Sequence, residues 1–212
     1  LESELDTYIE NRKNSLEVPI SIVEKESHIY YNKGAVSLYL LQEKIGEEQL
    51  NLALKRFIKD WNAFDFNFNK MRYATSNDLL QYIYEVTPNS LKPAVFELLE
   101  TVTIYDASIK KAIVLEKEQN SFALNVHIEL AKSQLDENGK ITKVTPNTII
   151  DLSVYRLNSD GEEIVLETRK IHVQSDNINM ILNLSSKPSR IALDKNFQLL
   201  DSDRTNNSKN IN

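Results

Sequence analysis

The spacing of apolar residues changes near Thr103, from a period close to 3.6 to a period of 2. In the first half, Leu1, Leu5, Tyr8, Ile9 and Arg12 are spaced helically with acids in the first turn, which predicts a short helix over residues 1–14. Residues 17–25 are expected to be a loop, because Pro19 biases Val18 toward extended backbone. Glu17 is expected there as a solvated carboxylate, the ordinary state of a glutamate, with a substrate contact as the alternative. Residues 33–45 are apolar on most sides (Ala35, Val36, Leu38, Tyr39, Leu40, Leu41, Ile45), which predicts a helix buried in something larger than itself. Gly46 is expected to cap its C-terminus, and Gly34 at its start to admit a close backbone approach. Leu50, Leu54, Phe57, Ile58 and Trp61 form one stripe of a further helix over 47–61, with Trp61 as a packing residue.

Residues 62–74 carry no helix or strand signal. Phe64, Phe66 and Phe68 alternate there with Asp65 and Asn67, and a loop pinned by its phenylalanines is favoured over an aromatic binding edge. Thr75 caps a helix that runs to about Val86 and ends at Thr87-Pro88, and another helix is expected over 91–102. Beyond Thr103 strands are expected at 110–117, 121–132, 148–157, 162–173, 178–184, 190–193 and 197–200, with turns at Asn138-Gly139 and Asp160-Gly161. The predicted fold is an α+β two-part chain: an all-helical segment (1–102), then an antiparallel β-sandwich (103–205), then a flexible tail (206–212) that is polar and rich in Asn.

Composition narrows the function. A net charge of −6, with basic residues interspersed among more numerous acids, speaks against a nucleic-acid partner. The absence of Cys removes disulfides, thiolate nucleophiles and Cys-type metal sites. Four glycines in 212 residues leave no Gly-rich phosphate cradle. No stretch approaches the roughly 18 apolar residues of a membrane helix, so the chain is expected to be soluble.

One signature carries specific chemistry. Glu17-Val18-Pro19-Ile20, then His28-Ile29-Tyr30-Tyr31-Asn32-Lys33-Gly34-Ala35, then Ile45-Gly46-Glu47 resembles a segment of the M1-family zinc aminopeptidases, downstream of their metal-binding helices. The shared pattern is E-x-P-L/I, Y-x-K-G-A and a helix ending in I/L-G-E; Thr75-Ser76-Asn77-Asp78-Leu79 is similar to the family's T/S-x-x-D-L. The order of a helical end of a catalytic domain followed by a β-sandwich is also that of the family. The resemblance implies that Tyr31 is a catalytic residue, a phenol donating a hydrogen bond to the oxyanion formed when zinc-activated water attacks a peptide carbonyl. The alternative for Tyr31 is packing at a helix start, which the flanking Lys33-Gly34-Ala35 disfavours.

The family's H-E-x-x-H zinc motif does not occur here. His28, His127 and His172 each stand alone, and the last two are expected on solvated sheet faces. The chain is therefore expected to be a fragment with no metal or cofactor of its own. Zinc, the peptide substrate and the upstream part of the catalytic domain would belong to the full-length parent. The closest likeness within the family is to the bacterial modules found in chains with permease-like membrane segments, which implies membrane association of that parent. The competing expectation is a non-catalytic peptide-binding or interaction module, with an edge strand at 190–193 open to an extended partner.

Overall fold

In the computed structural model of the chain, the 3.6-residue period becomes α1 (Glu2–Asn11), α2 (Gly34–Ile45), α3 (Glu47–Asp60), α4 (Ser76–Val86) and the single-turn α5 (Lys92–Val95). The alternating half becomes β1 (Val102–Glu116), β2 (Phe122–Leu135), β3 (Ile141–Lys143), β4 (Thr148–Leu157), β5 (Glu163–Val173), β6 (Asn177–Leu184), β7 (Arg190–Leu193) and β8 (Ser208–Asn210). The protein is thus an α+β chain, with helices first and sheets from residue 102 on. The structure describes residues 1–14, 16–65, 72–117, 121–136 and 138–211. They fall into two compact units, residues 1–103 with 135–140 and residues 104–134 with 141–212.

In the helical unit, Leu5 and Tyr8 of α1, Val36, Leu40, Leu41 and Ile45 of α2, Leu50 and Ala53 of α3, and Leu80 and Ile83 of α4 are buried. α2 is not enclosed all round: Ala35 and Tyr39 are exposed, so its apolar surface exceeds what this unit covers. Gly46 ends α2 at φ 95°, ψ 144°, a conformation open to glycine and outside the left-handed helical region expected of a cap. Gly34 is an ordinary helical residue at which an added Cβ would meet only the Ile29 carbonyl oxygen, at 3.6 Å; the expected close approach is not there. α4 opens with a capping box in which the Thr75 hydroxyl accepts from Asp78 N–H and the Asp78 carboxylate accepts from Thr75 N–H at 2.8 Å.

Three expectations change in this half. The helix read over 91–102 is α5 followed by a wide π turn, Phe96–Glu100, and the chain is already a strand at Val102. The early strand start escaped the sequence because Val102–Tyr105 and Ala107–Ile109 are buried on both faces, which erases the in/out contrast that betrays a strand. Phe64 is 95% exposed and pins nothing, while Phe66 and Phe68 lie outside the described residues.

The second unit is two four-stranded sheets, one with β1, β2 and β3 in order and β6 also on β2, the other ordered β5-β4-β7-β8. Pairs β2–β6, β4–β5, β4–β7 and β7–β8 are antiparallel. Alternate residues of both sheets meet in one core: Leu124, Val126, Ile128 and Leu130 of β2 and Leu182 and Leu184 of β6, with Ile150, Leu152 and Val154 of β4 and Ile191 and Leu193 of β7. The period in β1 slips from Tyr105, Ala107 and Ile109 to Ala112 and Val114 while all five stay toward that core, the mark of an extra residue in the strand.

β7 lies between β4 and β8, so residues 190–193 are not the open edge that an extended partner would need. The polar tail supplies that cover: Ser208–Asn210 pair with Arg190–Ala192, and Ile211 is buried, in place of a flexible end. No strand forms at 197–200. The loop after β7 turns through Asp194 (φ 49°) and Phe197 (φ 56°) and lies against β4, where Asn196 donates to the Asp151 carboxylate and Gln198 accepts from its N–H.

Candidate functional site

The Y-x-K-G-A stretch is not plain helix. His28–Lys33 form a π turn that runs directly into α2, with Gly34 N–H bonded to the Ile29 carbonyl five residues back. Such widened turns change which side chains share a face, and they recur at functional sites. Here Ile29 and Lys33 point inward and are fully buried, whereas Tyr30 and Tyr31 point outward, Tyr31 with 68% of its surface exposed. The two phenol rings lie 4.6 Å apart, tilted by 60°.

Lys33 is buried because Glu17 awaits it. Its Nζ lies 2.6 Å from Glu17 Oε1, with the two side chains 0% and 1% exposed. Tyr8 of α1 donates its hydroxyl to the same oxygen, and Arg12 donates Nε and an NH2 group to Oε2, both at 2.8 Å. One carboxylate thus gathers three donors. The expectation of a solvated Glu17 is wrong: Pro19 (φ −54°, ψ 148°) leads into a 3-10 turn at Ile20–Ile22, and Glu17 just before it is 3% exposed with its carboxylate on the buried ammonium.

Electrostatics follow from this arrangement. Burial raises the Glu17 carboxyl, but Lys33, Tyr8 and Arg12 outweigh it and hold the group below its usual range. Burial pulls the Lys33 ammonium down, and Glu17 offsets this only in part. The Tyr8 phenol is pushed well above its ordinary value by burial and by the Glu17 charge. Next to Lys33, Asn32 donates to Glu4 of α1. The turn that displays Tyr31 is therefore tied to α1 and its following loop through the two residues after it.

On the outer side, Tyr30, Ala35 and Leu38 face Leu79 and Ile83 of α4 and Ile20 across an apolar cleft of about 210 Å³. Tyr30 lines that cleft, and the Tyr31 ring packs against the Tyr30 ring. A phenol in such a place can donate a hydrogen bond, with apolar surface nearby for a side chain. A larger hollow of about 420 Å³ opens on the sheet formed by β1, β2 and β6, lined by Lys111, Ile113, Asn125, His127, Asn179 and Ile181. It sets Lys111, His127 and two amides among aliphatic side chains; the cleft by Tyr30 is the candidate taken up because it is lined by Tyr30, Gly34 and Ala35 of the Y-x-K-G-A stretch.

The histidines are not brought together. His127 bonds Asn177 at 3.2 Å on one sheet and His172 bonds Asn147 at 2.8 Å on the other. Among the described residues no group of three His, Cys, Asp or Glu side chains is disposed to hold a metal ion, and no helix is long and apolar enough to cross a membrane.

The sequence reading missed the buried quartet of Tyr8, Arg12, Glu17 and Lys33. A signal existed, since Glu17 and Lys33 are the charged letters of the two motifs and Tyr8 and Arg12 stand four apart on one helix face. It also missed two buried acids of the sandwich. Burial pushes Asp194 up to about 7 despite N–H bonds from Gln198 and Leu199, and Asp201 up to about 6 despite a bond from Asn207.

No family model and no curated protein matches this chain. Among solved structures, one from Catenulispora acidiphila is similar at a TM-score of 0.21 and 11% identity, covering 66% of this chain and 94% of that one, a likeness too slight to bear on fold or function.

Proposed function

We propose that this chain is the C-terminal part of an M1-type aminopeptidase, in which the Tyr31 hydroxyl donates a hydrogen bond to the oxyanion of the tetrahedral intermediate formed at a peptide carbonyl. The observation that carries this reading is the outward, 68% exposed Tyr31 within Y-x-K-G-A, on a π turn tied to Glu17 and Glu4 through Lys33 and Asn32. A neutral donor suits the step: it adds no charge while the carbonyl is uncharged and gains strength as negative charge develops on the oxygen. The apolar cleft beside Tyr30 would accept an aliphatic or aromatic side chain of the peptide. Among the described residues no set fits zinc, and the metal and the general base of this reading would come from sequence upstream.

The coding sequence ahead of Leu1 should carry H-E-x-x-H with a Glu on the following helix. In the full-length protein, Tyr31→Phe is expected to lower kcat ~10²–10³-fold with zinc content unchanged. Unaltered turnover removes Tyr31 from the mechanism. An altered or missing upstream motif would favour a peptide-binding module that uses the same cleft.

A further inference from the structure

The Tyr31 side chain is 68% exposed and its ring packs at a tilt against Tyr30 on the same turn, so its direction depends on the backbone that carries it. That backbone is a π turn, whose i→i+5 hydrogen bonds depart from the α-helical ladder that follows it. Three things fix it. Ile29 is buried on its inner side; Asn32 donates to Glu4; and Lys33, with no exposed surface, meets Glu17, which also receives Tyr8 and Arg12. A buried aliphatic residue at position 33 would supply the same contact area yet accept several rotations of the turn. An ammonium in an apolar interior is satisfied only where its acceptor is. Buried ion pairs are poor sources of stability compared with apolar side chains of like volume, whereas they do restrict geometry.

We propose that Lys33 and Glu17, with Asn32 and Glu4 as a second tether, are positioning residues that set the direction of the Tyr31 hydroxyl. The functional consequence rests on Tyr31 acting as the oxyanion donor; the geometric claim does not. A reacting group must be held to about 0.5 Å and 10–20°, a tolerance that a loosened turn exceeds. The motif letters Glu17 and Lys33 then have a reason: they never touch substrate but hold the residue that does.

Two readouts test this. In the full-length enzyme, Lys33→Met and Glu4→Ala are each made alone and together with Tyr31→Phe. Lys33→Met leaves Glu17 paired with Arg12 and Tyr8, and Glu4 is only half-buried, so both variants keep a folded chain. Lys33→Met is expected to lower kcat ~10–100-fold with KM little changed, and to cause no further loss once Tyr31→Phe is present, because it acts through that hydroxyl. A merely structural role gives the same loss in both backgrounds, and that result overturns the proposal, as does an unchanged kcat beside an impaired Tyr31→Phe.

The second readout needs no activity. 3-Fluorotyrosine placed at position 31 of the 212-residue chain should give one fluorine resonance, which splits or shifts in Lys33→Met and in Glu4→Ala. An identical resonance in all three chains overturns the clamp. If Tyr31→Phe by itself spares turnover while the resonance still responds, the oxyanion reading fails and the clamp stands, so the two failures are distinguishable.

Discussion

Glu17→Gln tests the buried quartet most sharply. Glu17 is the shared acceptor for Tyr8, Arg12 and Lys33, and the amide that replaces it keeps one acceptor oxygen, loses the charge and turns an NH2 group toward a donor. Arg12, 19% exposed, can turn to water, but Lys33 at 0% cannot, so the loss falls on the ammonium. Removing one partner of a buried ion pair costs ~3–5 kcal/mol. In a unit of about a hundred residues, where each kcal/mol is worth ~4–8 °C, Tm should fall by ~12 °C or more. Trp61 is the single tryptophan and lies in the helical unit, so its fluorescence follows this unit's unfolding selectively.

The variant also acquires a pH signature. Without Glu17's charge, burial lowers the Lys33 pKa further below its unfolded value, so the unfolded chain binds more protons and stability rises with pH as the folded ammonium loses its proton. The control is Glu163→Gln, whose partner Arg190 and own side chain are 26% and 34% exposed, with an expected cost under ~1 kcal/mol. A loss under ~1 kcal/mol for Glu17→Gln, or stability that falls with pH, would refute the reasoning.

Two further outcomes follow from the structure. Asp194 and Asp201 titrate near 7 and 6 when folded against 3.8 otherwise, and they sit among Asp106, Arg204 and Asn207. The folded sandwich therefore binds more protons than the unfolded chain over that window, and its stability should drop by on the order of 3 kcal/mol between about pH 5 and pH 8, read as a lower urea midpoint by circular dichroism; an equal or higher midpoint at the upper pH contradicts it. Thr75→Ala removes the hydroxyl of the α4 capping box and should cost ~1 kcal/mol, visible through Trp61 because Arg72, held by Asp78, stacks 4.7 Å over that ring; an unchanged Tm would discount the cap.

What the sequence by itself determined was local. Helical spacing in 33–45 and 47–61, the Thr75 cap, the alternation of 121–132 and the turns with Gly139 (φ 75°) and Gly161 (φ 79°) are properties of neighbouring residues, and period and turn chemistry are enough to read them. Tyr31 is singled out by the letters around it alone, whereas its 68% exposure comes with the π turn that carries it. Tertiary structure decided whatever depended on partners far apart in the chain. Glu17 has the composition of a surface residue and becomes a buried anion because Lys33, sixteen positions on, is carried to it by a π turn that the motif does not announce. The tail looks disordered from its polarity, yet Ser208–Asn210 find open backbone groups on β7. Residues 102–109 hide as a strand because both faces are covered. In each case the deciding quantity is the desolvation of a charge, a peptide edge or a second face, and desolvation is set by what the rest of the chain brings near.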